Sequence, residues 1–203
     1  LTDLYVDNPS PTEKITVFLN ISLPKLPCND CKTLLRQWIT IISSDFCSSV
    51  VGLDIQDENG RHEVGHIADT EKTDINEGKG CNYAASFIIN KVPGNFHVST
   101  HAVQVQPDDI NMSHEIHTLR FGDNLQTMEP HIKGSFNSLA NHDRTGANGK
   151  ESHDYIMKIV PTVFERSSSD EIVAYQYVYA HKDIINDHGD YGDNRVEVPD
   201  WQA

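Results

Sequence analysis

Positive charge is scarce in this sequence. Lysine and arginine number 16 against 30 aspartates and glutamates in 203 residues, giving a formal net charge of −14, and no block of five or more basic residues occurs. Such a chain repels phosphate backbones and anionic lipid, which excludes nucleic acid and anionic membrane surfaces as natural partners. Long apolar runs are missing too. The most apolar short stretch, Trp38-Ile39-Thr40-Ile41-Ile42, falls far below the roughly 18 residues that a membrane span needs. No anchor or signal peptide is expected within the chain, which starts at Leu1 without a methionine and reads as a fragment of a longer protein. The GxSxG elbow, the Walker loop and the GxGxxG turn are all absent, which removes the commonest hydrolase, nucleotide and dinucleotide signatures.

The length suits one sizeable core. Four cysteines, Cys28, Cys31, Cys47 and Cys81, leave three full pairings open. Two N-glycosylation sequons, Asn20-Ile21-Ser22 and Asn111-Met112-Ser113, stand beside them. Together they favour a lumen of the secretory pathway.

Strand periodicity dominates. Ile15, Val17, Leu19 and Ile21 recur at period two in KITVFLNISL, which predicts a half-buried strand with Asn20 outward. Val51, Leu53 and Ile55 alternate likewise, and the turn-forming DENG that follows predicts a hairpin with RHEVGHI. Further strands are expected at YAASFIINKV, FHVSTHAVQV, IHTLRF, YIMKIVPTVF and EIVAYQYVYA. TLLRQWITII leaves helix and strand undecided, and a short helical turn is possible at 107–112. From Asp183 onward the acidic, aperiodic INDHGDYGDNRVEVPDWQA predicts a loose tail.

HEVGH, residues 62–66, fits the His-Glu-x-x-His pattern of zinc proteases. That motif needs a helix, which sets its two histidines one turn apart, about 6 Å between side-chain origins. On a strand His62 and His66 stand about 13 Å apart, too far to share one ion. No third ligand follows in IADTEKTD, so the bland reading, a solvated strand, outweighs a zinc hydrolase using His62, Glu63 and His66. The same spacing argument disposes of His97 with His101, and His114 with His117 reads as structural or solvated. Cys28-Asn29-Asp30-Cys31 has redox spacing without a βαβ context. No cofactor, metal or catalytic residue is expected. Eleven histidines on an acidic chain could shift the surface charge between about pH 5 and 8.

The segments VGLDIQDENGRHEVGHI, GKGC, INKVPGNFHVSTHAVQVQP, MSHEIHTLRFGD and SHDYIMKIVPTVFE, in that order, resemble the lumenal domain of the ER-Golgi intermediate compartment protein family. The resemblance covers about Leu4 to Lys182. It implies an all-β sandwich of two mainly antiparallel sheets with little helix, lying in the lumen of a protein anchored by two membrane spans that this chain lacks. It also implies a non-enzymatic subunit that cycles between ER and Golgi, joins a larger family member in a hetero-oligomer and returns escaped lumenal cargo. Cys28 and Cys81 fall where the family's two cysteines lie, which implies a disulfide between them.

Two departures stand out. CKTLLRQWITIISSDFCSS has no family counterpart, so about 30–49 reads as an insertion in a lumenal domain of 1–182. Over 183–203 the family continues into a strand and its second span, whereas this chain carries the acidic tail. Asp57, Glu58, His62, Glu63 and His66 form the densest titratable group and are the expected charged contact surface. Two other functions remain open: the zinc hydrolase, and a structural subunit that only stabilises the larger partner.

Overall fold

Period-two alternation governs nearly every element. The computed structural model describes residues 13–31, 34–36, 39–41, 47–57, 69–100, 110–167, 170–185 and 195–201. Its strands in chain order are β1 (Lys14–Leu23), β2 (Asn29–Cys31), β3 (Leu34–Arg36), β4 (Ile39–Ile41), β5 (Cys47–Ser49), β6 (Gly52–Asp57) and β7 (Asp69–Ile75). There follow β8 (Gly80–Asn90), β9 (Gly94–Ser99), β10 (Glu115–Phe121), β11 (His142–Asp143), β12 (Glu151–Ser167), β13 (Asp170–Ile185) and β14 (Arg195–Trp201). One four-residue helix, α1 (Leu125–Met128), lies between β10 and β11.

Two five-stranded sheets result, in the orders β11-β10-β1-β8-β7 and β13-β12-β14-β9-β6. Every neighbouring pair is antiparallel except β12 with β14. The expected all-β sandwich is what forms. Central β1 explains why. Its odd residues Ile15, Val17, Leu19, Ile21 and Leu23 are buried, and β8 aligns Cys81, Tyr83, Ala85, Phe87 and Ile89 with them. Facing them from the second sheet are Phe96 and Val98 of β9, Tyr155, Met157 and Ile159 of β12, and Tyr175 and Tyr177 of β13. Edge-to-face pairs Phe87–Phe96 and Phe121–Tyr177, with centroids 5.1 and 5.5 Å apart, join the two layers. Each such pair adds about 0.5–1.5 kcal/mol to its burial.

On β10 the alternation slips once. Leu119 pairs with Leu19 but Ile116 with Ile21, leaving His117 as an extra residue of a bulge. Both apolar side chains thereby reach the core. The first sheet then meets the second at Gly122, whose N–H donates to the carbonyl of Thr16 (2.8 Å) and which bridges Ala174 of β13. Only glycine suits that corner: φ is +69°, and a Cβ there would come 2.7 Å from the carbonyl oxygen of Val173.

Within 29–49 the described residues form two antiparallel ladders, β2 with β5 and β3 with β4. TLLRQWITII thus yields strands, and Cys31 stands opposite Cys47 in register. The N–H of Val50 donates to the carbonyl of Cys28 (2.9 Å), which holds the two ends of this segment together.

The loose tail needs correction. Residues 183–185 complete β13, and 195–201 form β14, which sits between β12 and β9 with Val196 buried. Its apolar valines alternate with charged neighbours, a period too short to stand out beside Pro199 and the surrounding acids. The partner strand expected for β6 within RHEVGHI lies outside the described residues, as do 107–109 of the helical turn expected at 107–112, while 110–112 are not helical; β6 pairs with β9. The turn before Gly94 carries the chain from β8 in one sheet to β9 in the other.

Candidate functional site

Where β10 and β11 approach β12 and β13, ionisable side chains replace apolar ones. Along β12 and β13 the inward face of the core is set by the pairs Ile159 with Tyr177, Met157 with Tyr179, and Tyr155 with His181. Continued at period two, the same face next presents His153 opposite Asp183. From the other sheet come His114, just before β10, His142 on β11, and Arg144 after it. The N–H of Arg144 donates to the carbonyl of His114 (2.7 Å), which fixes that corner.

His114 and His153 are fully buried. His114 Nδ1 lies 2.9 Å from the carbonyl of Met112, which can only accept, so this nitrogen carries the proton. Nε2 therefore accepts from the hydroxyl of Tyr155 at 2.8 Å. Burial, reinforced by the neighbouring His153, His142 and His181, pushes the pKa of His114 down to about 3, against the smaller opposing pull of its bond to Met112. Burial also lowers the pKa values of His142, helped by Arg144, and of His181. It raises that of Tyr155. Burial thus disfavours the charged form of His114, His142 and His181 in the fold.

Asp183 gathers the rest. Its Oδ1 accepts from His153 Nδ1 at 2.7 Å, and its Oδ2 pairs with Arg144 Nη2. His181 Nε2 also lies 2.9 Å from Oδ1, yet it makes no directed hydrogen bond, because the oxygen is off the line of the ring nitrogen. Burial raises the Asp183 pKa, but His153, His181 and Arg144 outweigh it and hold the carboxyl below its usual range. His153 Nε2 and His142 Nε2 are buried without partners.

This cluster escaped the sequence reading, which weighed histidines by adjacency. The signal was present as period-two continuation: His153 with Tyr155, and Tyr179 with His181 and Asp183. Other expected residues are placed as follows. Cys28 and Cys81 are joined in a disulfide. Asn20 lies on the outer face of β1, where its Oδ1 accepts from Asn82 Nδ2 (2.9 Å), beside a shallow groove of about 370 Å³ that Phe18, Asp69, Glu71 and Ser86 help to line. Asn111 is more confined: its Oδ1 accepts from the N–H and hydroxyl of Ser113, and its amide packs against Gly149. His97 is buried 3.2 Å from Asp54, and His117 bonds Ser22 Oγ at 2.7 Å. Asp57 ends β6; its side chain, and all of Glu58, His62, Glu63, His66 and His101, lie outside the described residues.

Among the described residues, β7 carries an acidic surface: Asp69, Glu71 and Asp74, followed by Glu77, are exposed along the edge of the first sheet.

Comparison with known proteins bears directly on these features. The pattern of the family described as "Endoplasmic reticulum vesicle transporter" matches residues 62–199. Endoplasmic reticulum-Golgi intermediate compartment protein 1 of Danio rerio and that of Xenopus laevis are each 46% identical over 187 residues, 91% of this chain and 57% of the relative. A probable protein 3 of the same compartment from Dictyostelium discoideum is 32% identical over 112 residues, 49% of this chain and 27% of the relative. The chain thus spans a little over half the length of the first two relatives. The solved structure described as "Crystal Structure of Erv41p" superposes with a TM-score of 0.58 at 14% identity, covering 98% of this chain and 99% of that one, which shows a shared fold. A pattern match across most of the chain, together with close identity along nearly all of it, shows that this protein belongs to the endoplasmic reticulum vesicle transporter family.

Proposed function

We propose that this chain is the lumenal part of a non-catalytic cargo-receptor subunit that cycles between ER and Golgi and takes part in returning ER-resident proteins. The observation that carries the reading is the 46% identity over 91% of the chain to relatives named for the ER-Golgi intermediate compartment. The disulfide Cys28–Cys81 suits an oxidising lumen. The matched proteins are vesicle-transport proteins, which leaves the zinc hydrolase without support. No helix among the described residues is long and apolar enough to cross a membrane.

In this reading the partner is a larger family member, and the ligand is lumenal protein. The exposed carboxylates of β7 supply an acidic face for basic segments of partner or cargo. The first-choice group of Asp57, Glu58, His62, Glu63 and His66 extends the same proposal to residues outside the description.

The test is a pull-down from lumenal extract with this chain as bait, with and without the lumenal domain of the larger relative, at about pH 6 and about pH 7. Capture of ER residents that depends on the partner and on pH supports the receptor. Capture of the partner without cargo at either pH shows a stabilising subunit, and capture of neither overturns the reading.

A further inference from the structure

We propose that His153, His181 and Asp183 form a binding site for a divalent first-row transition cation, with Zn²⁺ the best fit, open to solvent for its remaining ligand. Nitrogen atoms of the two rings and a carboxylate oxygen all lie within 4.8 Å of one another. Zinc binds nitrogen and carboxylate oxygen at about 2.0–2.2 Å, so neighbouring ligands of a tetrahedral ion stand about 3.3 Å apart. The present separations of 2.7 and 2.9 Å from Asp183 Oδ1 need to open by only a few tenths of an ångström.

The scaffold is rigid. His153 and Asp183 face each other across the β12–β13 ladder, and His181 precedes Asp183 by one period, so hydrogen-bonded backbone sets all three on one face. The carboxylate is divided in the manner a metal ligand requires: Oδ2 is engaged by Arg144, and Oδ1 turns to the two rings. Without an ion the His181 ring is poorly served: its Nε2 is buried and lies 2.9 Å from Oδ1 without bonding it. Buried polar atoms are ordinarily satisfied, so this deficit points to an occupant.

Burial grades from none of the His153 side chain exposed, through 18% of His181, to 31% of Asp183. The ion therefore enters past Asp183 and is bound against a dry wall. On binding, the ion takes the place of the His153 Nδ1–H···Oδ1 hydrogen bond, and the ring stays neutral by carrying its proton on Nε2 instead. Arg144 repels the cation and keeps the affinity moderate. The donor set of two imidazoles and one carboxylate excludes Mg²⁺ and Ca²⁺, which take oxygen. None of its three residues belongs to the HEVGH segment, and no chemistry on a substrate is inferred for it.

The experiment uses the whole 203-residue chain stripped with chelator and titrated with Zn²⁺ by calorimetry and with Co²⁺ by visible absorption. One equivalent of Zn²⁺, a raised unfolding temperature and Co²⁺ ligand-field bands are expected. Asp183→Asn and His181→Gln, both partly exposed, should each weaken binding by more than the roughly 10–100-fold typical of losing an outer-shell group. His62→Gln/His66→Gln should leave binding unchanged. Absence of binding in wild type, or binding that survives Asp183→Asn and His181→Gln with circular dichroism intact, overturns the proposal; so does loss confined to the His62/His66 variant.

Discussion

Mild acid should loosen this domain through His114. In the fold its pKa is about 3, whereas an unfolded histidine titrates near 6.5. Between those values the unfolded chain binds a proton that the folded chain refuses, so stability rises with pH across this window and is lost as pH falls through it. At pH 7.4 neither state is protonated and the penalty is negligible. At pH 5.5, one unit below the unfolded value, His114 alone costs about 1.4 kcal/mol. For a chain of 203 residues that corresponds to a fall of about 3 °C in Tm. His142 and His181 have lowered pKa values and add loss in the same direction. The assay is urea unfolding at both pH values in chelator, so that no cation contributes, on wild type and on His114→Gln. The variant can keep a donor towards Met112 and an acceptor towards Tyr155 without a group that titrates. What matters is the difference in pH response, which should shrink by about 1.4 kcal/mol in the variant whatever its absolute stability. An equal pH response in the two proteins would refute the assignment of a buried neutral His114.

Three further outcomes are expected. The buried hydroxyl of Tyr177 donates to the carbonyl of Leu119 (2.8 Å) and accepts from the N–H of Leu139 (3.0 Å), so Tyr177→Phe should cost about 1–3 kcal/mol in chemical denaturation, with the native circular dichroism retained. Removing the disulfide as Cys28→Ala/Cys81→Ala frees a loop with a sequence separation of 53, and loop entropy sets the loss at about 4 kcal/mol, read as a fall in the denaturation midpoint. Expressed in a secretory host, the chain should carry its glycan mainly at Asn20: Asn20→Gln should abolish most of the shift that endoglycosidase produces on a gel, and Asn111→Gln should change it little.

The framework was legible in the sequence wherever one face of a strand is buried. Ile15 to Ile21 alternated cleanly because β1 is covered on one side and wet on the other, and the strands around Phe87, Phe96, Leu119, Ile159 and Tyr177 were found the same way. TLLRQWITII was ambiguous because its β-branched residues suit a strand while its length suits a helix, and each of the strands it forms, β3 and β4, is only three residues long. Missing β14 had a different cause: its pairing partners, at Ser99 and His153, lie far away in the chain, and nothing local announces a strand. The His153–His181–Asp183 group was hidden for a similar reason. Its members are contributed by two long strands, and only the register of His153 against Asp183 makes them neighbours. The disulfide came from family resemblance, since four cysteines alone left the pairing open.

The position of β14 has a consequence for how the protein is made. It is the last strand in chain order, yet it fills the gap between β12 and β9, pairing parallel with one and antiparallel with the other. The β6–β9 pair and the β12–β13 hairpin belong to one sheet only through it. A ribosome delivering the chain from its N-terminus therefore exposes two unpaired strand edges, at β9 and β12, until residues 195–201 have emerged. Such late, long-range closure slows folding and leaves the nascent domain open to edge-to-edge association, so its biogenesis calls for chaperone cover during synthesis rather than after it.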